Sequence, residues 1–328
     1  MAAFPPCPLV SLNGTSWVLL LWMIQVNGHV ESKYSIATGE WSKPHFVEDP
    51  FIKVHGLAPG LNYGQQAFEG MKAYRDPDGQ IQVFRLKDHA ARLALSCSTI
   101  AIPTIPEDVL LASINLAVVL FGSDAFFAVF AGTSYRFCVY VQPYKAYHGV
   151  QLLPALVLED LDRAAPQGVG HVKVGGNYAP VLKWSDKARA EGFAITLHLD
   201  SRTQSEIDEF STSGFLGLKK TGDSFTLIVP SSPSILKSVT STSCVELARS
   251  FGWAVELRPI PYLELPHFKE ILAAGTAAIV VPIKSITRRS TGDVFTFSVD
   301  GPGEACQRLS KALLAVQKGL ASNDGDWL

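Results

Sequence analysis

A lysine stands among glycines in Gly170-His171-Val172-Lys173-Val174-Gly175-Gly176-Asn177-Tyr178. Its neighbours carry little side-chain bulk, and a helix is expected just beyond it, over residues 177–191. An amine placed there can reach a flat ligand and swing during turnover. Where such a lysine is partly desolvated it loses its proton and attacks a carbonyl, forming a Schiff base. A lysine beside glycines is more often a solvated loop charge, because lysine is mostly exposed. What raises Lys173 above that reading is its company along the chain.

Tyr63-Gly64-Gln65-Gln66-Ala67-Phe68-Glu69-Gly70-Met71-Lys72-Ala73-Tyr74-Arg75 sets aromatic rings and an acid among glycines. Alone it reads as a strand and a turn. Glu209 lies in Ile207-Asp208-Glu209-Phe210-Ser211-Thr212, with Asp208 and Glu206 as competitors for any role it has. Alone it would be a surface acid, since glutamate is rarely buried. Val239 and Thr240 precede a helix expected over residues 243–251, and N–H groups at a helix N-terminus form an anion site. Arg92 falls on another expected helix, where a guanidinium fork would suit a phosphate. Gly275-Thr276-Ala277-Ala278 is a short polar-to-apolar stretch, and Thr276 reads blandly as a cap or turn residue.

The elements that must hold these residues are legible in outline. Asp88 is expected to cap a helix carrying Ala90, Ala91, Arg92, Leu93 and Leu95. A second helix is expected over residues 106–120, opened by proline and acids. Strands are expected over residues 80–86, 193–199, 225–229 and 278–286, from their alternation of apolar and polar residues. A last helix over residues 303–320 sets Cys306, Leu309, Leu313 and Val316 on one face. Residues 154–170, with Asp160, Asp162, Pro166, Gly168 and Gly170, read as a linker. The chain is thus expected to be α/β (α+β) in two domains, residues 33–153 and 171–328, with residues 1–32 unassigned.

Composition narrows the partners. The 328 residues are 47% hydrophobic, enough for an ample core. Twenty-eight basic and thirty acidic residues leave a net charge of −2 with no basic run, which disfavours nucleic acid. Five widely spaced cysteines (Cys7, Cys97, Cys138, Cys244, Cys306) fit reduced thiols, and neither they nor the histidines show metal-ligand spacing. Residues 1–30 carry no charge, and the apolar run over residues 17–24 falls short of the roughly 20 residues that span a bilayer. No basic segment precedes that run, and arginine is absent; secretion and mitochondrial import are disfavoured, and a cytoplasmic protein off the membrane is expected.

Taken in order, the Tyr63–Arg75 stretch, Lys173-x-Gly-Gly-Asn-Tyr178 and Gly275-Thr276-Ala277-Ala278 resemble the branched-chain amino acid aminotransferases. These are pyridoxal 5′-phosphate (PLP) enzymes of fold type IV. The resemblance covers about residues 45–290. It implies a small N-terminal α/β domain, a larger C-terminal domain and a cofactor at their interface. It implies that Lys173 bonds the cofactor and shuttles a proton at the substrate Cα, and that Glu209 keeps the pyridine nitrogen protonated. Tyr178 would hydrogen-bond the cofactor phenolic oxygen, and Arg92, Val239, Thr240 and Thr276 would hold its phosphate. Tyr63, Phe68 and Tyr147 resemble the aromatic walls of the substrate pocket, while Ala277 and Thr276 offer backbone N–H groups to the substrate carboxylate. The implied activity exchanges the amino group of a branched-chain or related hydrophobic L-amino acid with 2-oxoglutarate, in a homodimer, for primary or secondary metabolism.

The chain departs from the pattern twice. Gly214 stands where an asparagine is frequent, removing an amide close to the cofactor. The family's Tyr-x-Arg strand, which precedes the strand matched here by residues 137–141, is missing, and the small domain reads as about one strand short. Two alternatives therefore stay open: an impaired or inactive remnant of the family, and another fold type IV activity such as a D-amino acid aminotransferase or an aminodeoxychorismate lyase.

Overall fold

Alternating apolar residues along short strands build two sheets, described by a computed structural model over residues 26, 28–121, 125–130, 134–142, 151–277, 279–321 and 327, with backbone alone for residues 118–121 and 125–130. The first part of the chain gives β1 (His29–Ser35), β2 (Glu40–Trp41), β3 (His45–Val47), a single turn α1 (Pro59–Asn62) and β4 (Gln66–Met71). The hairpin β5 (Ala73–Arg75) and β6 (Ile81–Val83) leads into α2 (Leu86–Thr99) and α3 (Glu107–Phe121), followed by β7 (Ala125–Phe130) and β8 (Ser134–Val141). Strands β2-β1-β8-β7-β4 form an antiparallel sheet, with β3 added on β1.

Register decides what each face of this sheet carries. Cross-strand partners share a face, so Ala67, Phe137 and Ser32 fall on one side, and Phe68, Cys138 and Glu31 on the other. The Ala67 side packs on α2 and α3 through Val30, Met71, Leu93, Ile114, Phe137 and Val139. The Phe68 side carries the candidate site.

The second part gives β9 (Leu153–Val157), α4 (Gly175–Ala190), β10 (Ile195–Leu199), β11 (Ile207–Phe210), β12 (Gly214–Thr221), β13 (Ser224–Pro230), α5 (Val239–Ser250), β14 (Ala254–Arg258), β15 (Glu270–Gly275), β16 (Ile279–Arg288), β17 (Asp293–Thr296) and α6 (Glu304–Gln317). The sheet runs β11-β10-β9-β16-β15-β12-β13-β14, with β17 on β16. Its core divides between a layer under α5 and α6 and a layer around Phe210, Phe215 and Ile271. On α6 the expected face holds, with Cys306, Leu309, Leu313 and Val316 all buried.

Several expectations are corrected. The linker over residues 154–170 opens inside β9, whose Ala155 and Val157 are buried between β10 and β16. β1 begins within the segment left unassigned. α2 starts at Leu86 behind Arg85 in left-handed geometry, so Asp88 sits in the first turn, paired with Arg85, and caps nothing. The strand over residues 80–86 shortens to β6 because its end is drawn into α2. α5 begins at Val239, capped by Ser238, whose side chain accepts the Ser241 N–H at 3.1 Å. Ser241, Thr242 and Ser243 compete locally for backbone partners, which is why the sequence suggested a later start. The stretch between α3 and β8 forms β7, filling the place between β4 and β8.

The four described cysteines, Cys97, Cys138, Cys244 and Cys306, are buried and unpaired. Among the described residues no helix is long and apolar enough to cross a membrane. A His29, Glu31 and Cys138 cluster has ligand-like spacing that the sequence did not suggest. Its carboxylate is already held by Arg136 at 2.8 Å and Lys33 at 3.0 Å, so a cation entering there meets two others.

Candidate active site

Val172-Lys173-Val174 alternates like a strand, and its period of two buries both valines in the core of the small sheet while turning Lys173 the other way. Phe68 N–H donates to Lys173 O at 3.1 Å, and Ala67 bridges Val174, so the segment runs along β4. Gly175 lets it approach that strand, since a Cβ there would lie 2.7 Å from Gln66 Nε2, and Gly170 lets its start pass Ala164, whose Cβ would be 2.4 Å away. Lys173 N–H donates to Ser96 Oγ at 2.9 Å, and that hydroxyl donates to Arg92 O at 2.8 Å. One buried serine thus ties the lysine segment to the turn of α2 that carries Arg92. Ser96 was missed in the sequence, where it reads as an ordinary helix residue.

The Lys173 side chain is half-buried between two rings. Its Nζ lies 4.4 Å from the Phe68 ring centre, 5.1 Å from that of Tyr178 and 3.4 Å from the Tyr178 hydroxyl. The two rings meet edge to face at 5.0 Å. A cation over such faces is held by the ring quadrupoles, while the hydroxyl fixes the direction of the amine.

Glu209 lies behind this group. Burial pushes its carboxyl up to about 7, against Arg163 and the Leu236 N–H, which favour the charged form. Arg163 Nη2 is 3.5 Å from Glu209 Oε1, its guanidinium sits 5.3 Å over the Tyr178 ring, and Nη1 donates to Gly170 O at 3.3 Å. Arg163 therefore touches the acid, the tyrosine and the lysine segment at once. Its Nε is buried without a protein partner among the described residues. Sequence reasoning missed it inside the supposed linker, where a lone arginine among Asp, Pro and Gly carries no pattern. Of the competing acids, Glu206 is exposed, and Asp208 turns to Ser232 with its carboxyl pushed up to about 6 by burial.

Arg92 reaches the end of α5, where Nη1 donates to Lys237 O at 3.1 Å. Val239 and Thr240 are the first buried residues of that helix. The turn after β15 joins the same place: Ser238 Oγ lies 3.5 Å from Ala274 O, and Lys72 Nζ donates to Ala277 O at 3.2 Å. Thr276 is half-buried there and Ala277 exposed. A Cβ on Gly214 would lie 2.5 Å from Ser241 Oγ and 3.3 Å from Ser238 Cβ, so β12 and the α5 end already fill the space a side chain would enter.

The structure thus brings Lys173, Tyr178 and Phe68 into contact, links Glu209 to Tyr178 through Arg163, and sets Arg92 at the α5 end that carries Val239 and Thr240; Thr276 and Ala277 follow β15, whose Ala274 meets the Ser238 cap. Tyr63 is set apart, 85% exposed, although the next residue, Gly64, rests against Gly176. Tyr147 lies outside the described residues.

Residues 66–286 match the family of class IV amino-transferases. The aminotransferase atnJ of Emericella nidulans is 58% identical over 328 residues, covering 92% of this chain and 94% of that protein. The branched-chain amino acid aminotransferase gloG of Glarea lozoyensis is 46% identical, covering 98% of this chain and 97% of its own. The branched-chain amino acid aminotransferase from Escherichia coli superposes with a TM-score of 0.75 at 23% identity, over 92% of this chain and 98% of that one. The PLP form of the enzyme from Thermobaculum terrenum gives 0.74 at 22% identity, over 90% and 96%. These two likenesses establish a shared fold, that of the type IV aminotransferases. With more than half its length matched to the family, and a relative 58% identical across nearly the whole chain, this protein belongs to the class IV aminotransferases, enzymes whose cofactor is pyridoxal 5′-phosphate.

Proposed function

We propose that this enzyme moves the amino group of a branched-chain or related hydrophobic L-amino acid to 2-oxoglutarate, with Lys173 as its catalytic residue. The observation that carries the reading is the Lys173 amine held by Phe68 and Tyr178, in front of a buried acid paired with an arginine. PLP has three chemically distinct ends, and the donor set has a counterpart for each: an amine, a buried carboxylate, and an anion bed of Arg92 with the α5 N-terminus. Ser241 Oγ, buried in the first turn of α5 without a protein partner among the described residues, is a spare hydroxyl beside that bed.

When bound, PLP supplies an electron sink for the charge left on the substrate carbon. Glu209 would sustain that sink by favouring a protonated ring nitrogen, with Arg163 keeping the carboxylate available. Lys173 would take the Cα proton and return it, a step of general acid–base type. The Tyr178 hydroxyl orients the amine and would meet the cofactor phenolic oxygen. Arg92, Val239, Thr240 and Thr276 would bind phosphate, and Ala277 and Thr276 the substrate carboxylate. Phe68, edge to face with Tyr178, presents an apolar wall that would exclude water and favour hydrophobic side chains. The branched-chain name of gloG supports that preference.

Phe51, Leu57, Leu61 and Tyr63 form a run of exposed large apolar residues just before β4 in the chain. Their exposure supports a homodimer in which a second copy would cover them, as apolar patches of this kind mark interfaces. The unpaired buried cysteines support a cytoplasmic place.

The test is purified protein with PLP, beside a Lys173→Ala variant. The wild type should show the visible absorbance of a lysine-bound cofactor and form glutamate from L-leucine and 2-oxoglutarate. The variant should lose the absorbance and at least about 10³-fold in rate. Cofactor absorbance without glutamate from leucine, isoleucine or valine would sink the substrate reading. That outcome would favour the impaired-enzyme alternative.

A further inference from the structure

Phe68 and Glu69 are neighbours on β4 and so project to opposite faces of its sheet. Phe68 meets Lys173, while Glu69 turns toward α2 with no exposed surface. There its carboxylate takes two edges of one guanidinium, Arg92 Nε on Oε2 at 2.8 Å and Arg92 Nη2 on Oε1 at 2.6 Å. Oε1 also accepts the Gly70 N–H at 2.8 Å and lies 3.1 Å from His89 Nδ1. Burial alone would neutralise this carboxyl, but Arg92 and His89 outweigh burial and hold it well below the usual carboxylate range. The result is a buried, ionised, fully hydrogen-bonded acid, an arrangement that is costly unless every contact is made.

The guanidinium is planar and rigid. Two of its nitrogens fixed by Glu69 therefore fix the third, and that third nitrogen is Nη1, which points at Lys237 O just before the α5 cap. Nη1 carries two hydrogens; Lys237 takes one, leaving the other for an anion at the helix end. We propose that Glu69 is a positioning residue that aims Arg92 at the phosphate of the cofactor. It acts only through Arg92 and has no contact with the phosphate. The inference rests on the reading that Arg92 and the α5 N-terminus form the phosphate bed.

Charge and geometry predict opposite signs for its removal. If charge alone mattered, Glu69→Gln would uncover the positive charge of Arg92 and tighten phosphate binding. If orientation matters, the neutral amide loses the charge-assisted fork and binding loosens. The assay is titration of cofactor-free enzyme with PLP and, separately, with pyridoxal, which lacks the phosphate, by fluorescence quenching. Glu69→Gln should weaken PLP about tenfold and leave pyridoxal within about twofold. Glu69→Asp, which keeps the charge but shortens the reach, should also lower the preference for PLP over pyridoxal, and it stands in if the glutamine variant does not fold. PLP bound equally or more tightly, or PLP and pyridoxal weakened alike, overturns the proposal. Arg92→Gln runs alongside: an unchanged PLP-to-pyridoxal ratio in that variant refutes the phosphate bed itself, and this proposal with it. A ratio that falls in Arg92→Gln but holds in both Glu69 variants refutes the role of Glu69 alone.

Discussion

Exchanging Glu209 for glutamine keeps the size of the side chain and removes its ability to ionise, and the consequence should depend on pH in a calculable way. Glu209 is 3% exposed, and burial lifts its carboxyl from 4.5 to about 7 even with Arg163 alongside. Between those values the folded chain retains a proton that the unfolded chain has released. Stability therefore falls as pH rises through this window, and the cost is complete above about pH 7. At about 1.4 kcal/mol per pH unit, the rise amounts to about 3 kcal/mol.

His198, the cross-strand partner of Glu209, works in the opposite sense. Burial, then Arg163, pushes its imidazole down to about 3. The unfolded chain thus binds a proton that the folded chain refuses below pH 6.5, and stability rises with pH between about 3 and 6.5. The wild-type curve mixes both effects, but the difference between wild type and Glu209→Gln isolates Glu209, because His198 and Asp208 are present in both proteins. Urea denaturation of the cofactor-free protein should give a difference near zero at pH 4.5, where the acid is protonated. By pH 8 the variant should be the more stable by about 3 kcal/mol. The same variant, loaded with cofactor, should turn over more slowly, since a neutral amide does not favour a protonated ring nitrogen. A stability difference constant to within about 0.5 kcal/mol from pH 4.5 to 8 would refute the assignment of Glu209 as an acid kept at the site against the interest of the fold.

Three further substitutions probe the two places where the chain departs from its family pattern. Gly214→Ala should destabilise the protein by about 1–2 kcal/mol through overpacking, and Ser241→Ala, which removes the nearest atom, should recover much of that loss in the double variant; additive losses in thermal denaturation would show that the two positions do not meet. Arg136 shares a face with Phe68, through the register β4-β7-β8, and with Glu31 and Lys33 leaves one positive charge in surplus. Arg136→Met should raise KM for 2-oxoglutarate about tenfold and that for L-leucine much less, and equal changes for both substrates would remove Arg136 from the recognition of the second carboxylate.

How much of this was legible in the sequence depended on whether the signal was local. The face of α6 was readable because four core residues recur at helical spacing, and Lys173 and Phe68 were readable because their motifs are continuous in the chain. Glu209 could be singled out by resemblance but not by periodicity, since all four residues of β11 are buried and alternation carries no information there. Arg163 and Ser96 were invisible for another reason. Each owes its place to contacts with segments distant in sequence, Arg163 with Glu209 and Tyr178, Ser96 with Lys173. No pattern around either residue registers that.

Gly214 shows how a missing side chain can mislead when only the sequence is in view. Read along the chain, it is a lost amide and a sign of decay. In space, β12 passes so close to the first turn of α5 that Ser241 Oγ lies 2.5 Å from the point a Cβ would take, and the Ser238 cap closes in behind it. Substituting the glycine alone would press on the helix end that carries Val239 and Thr240, and so on the anion bed. The glycine and the two serines are therefore one packing solution, and a change at this position argues against activity only if the serines have not changed with it.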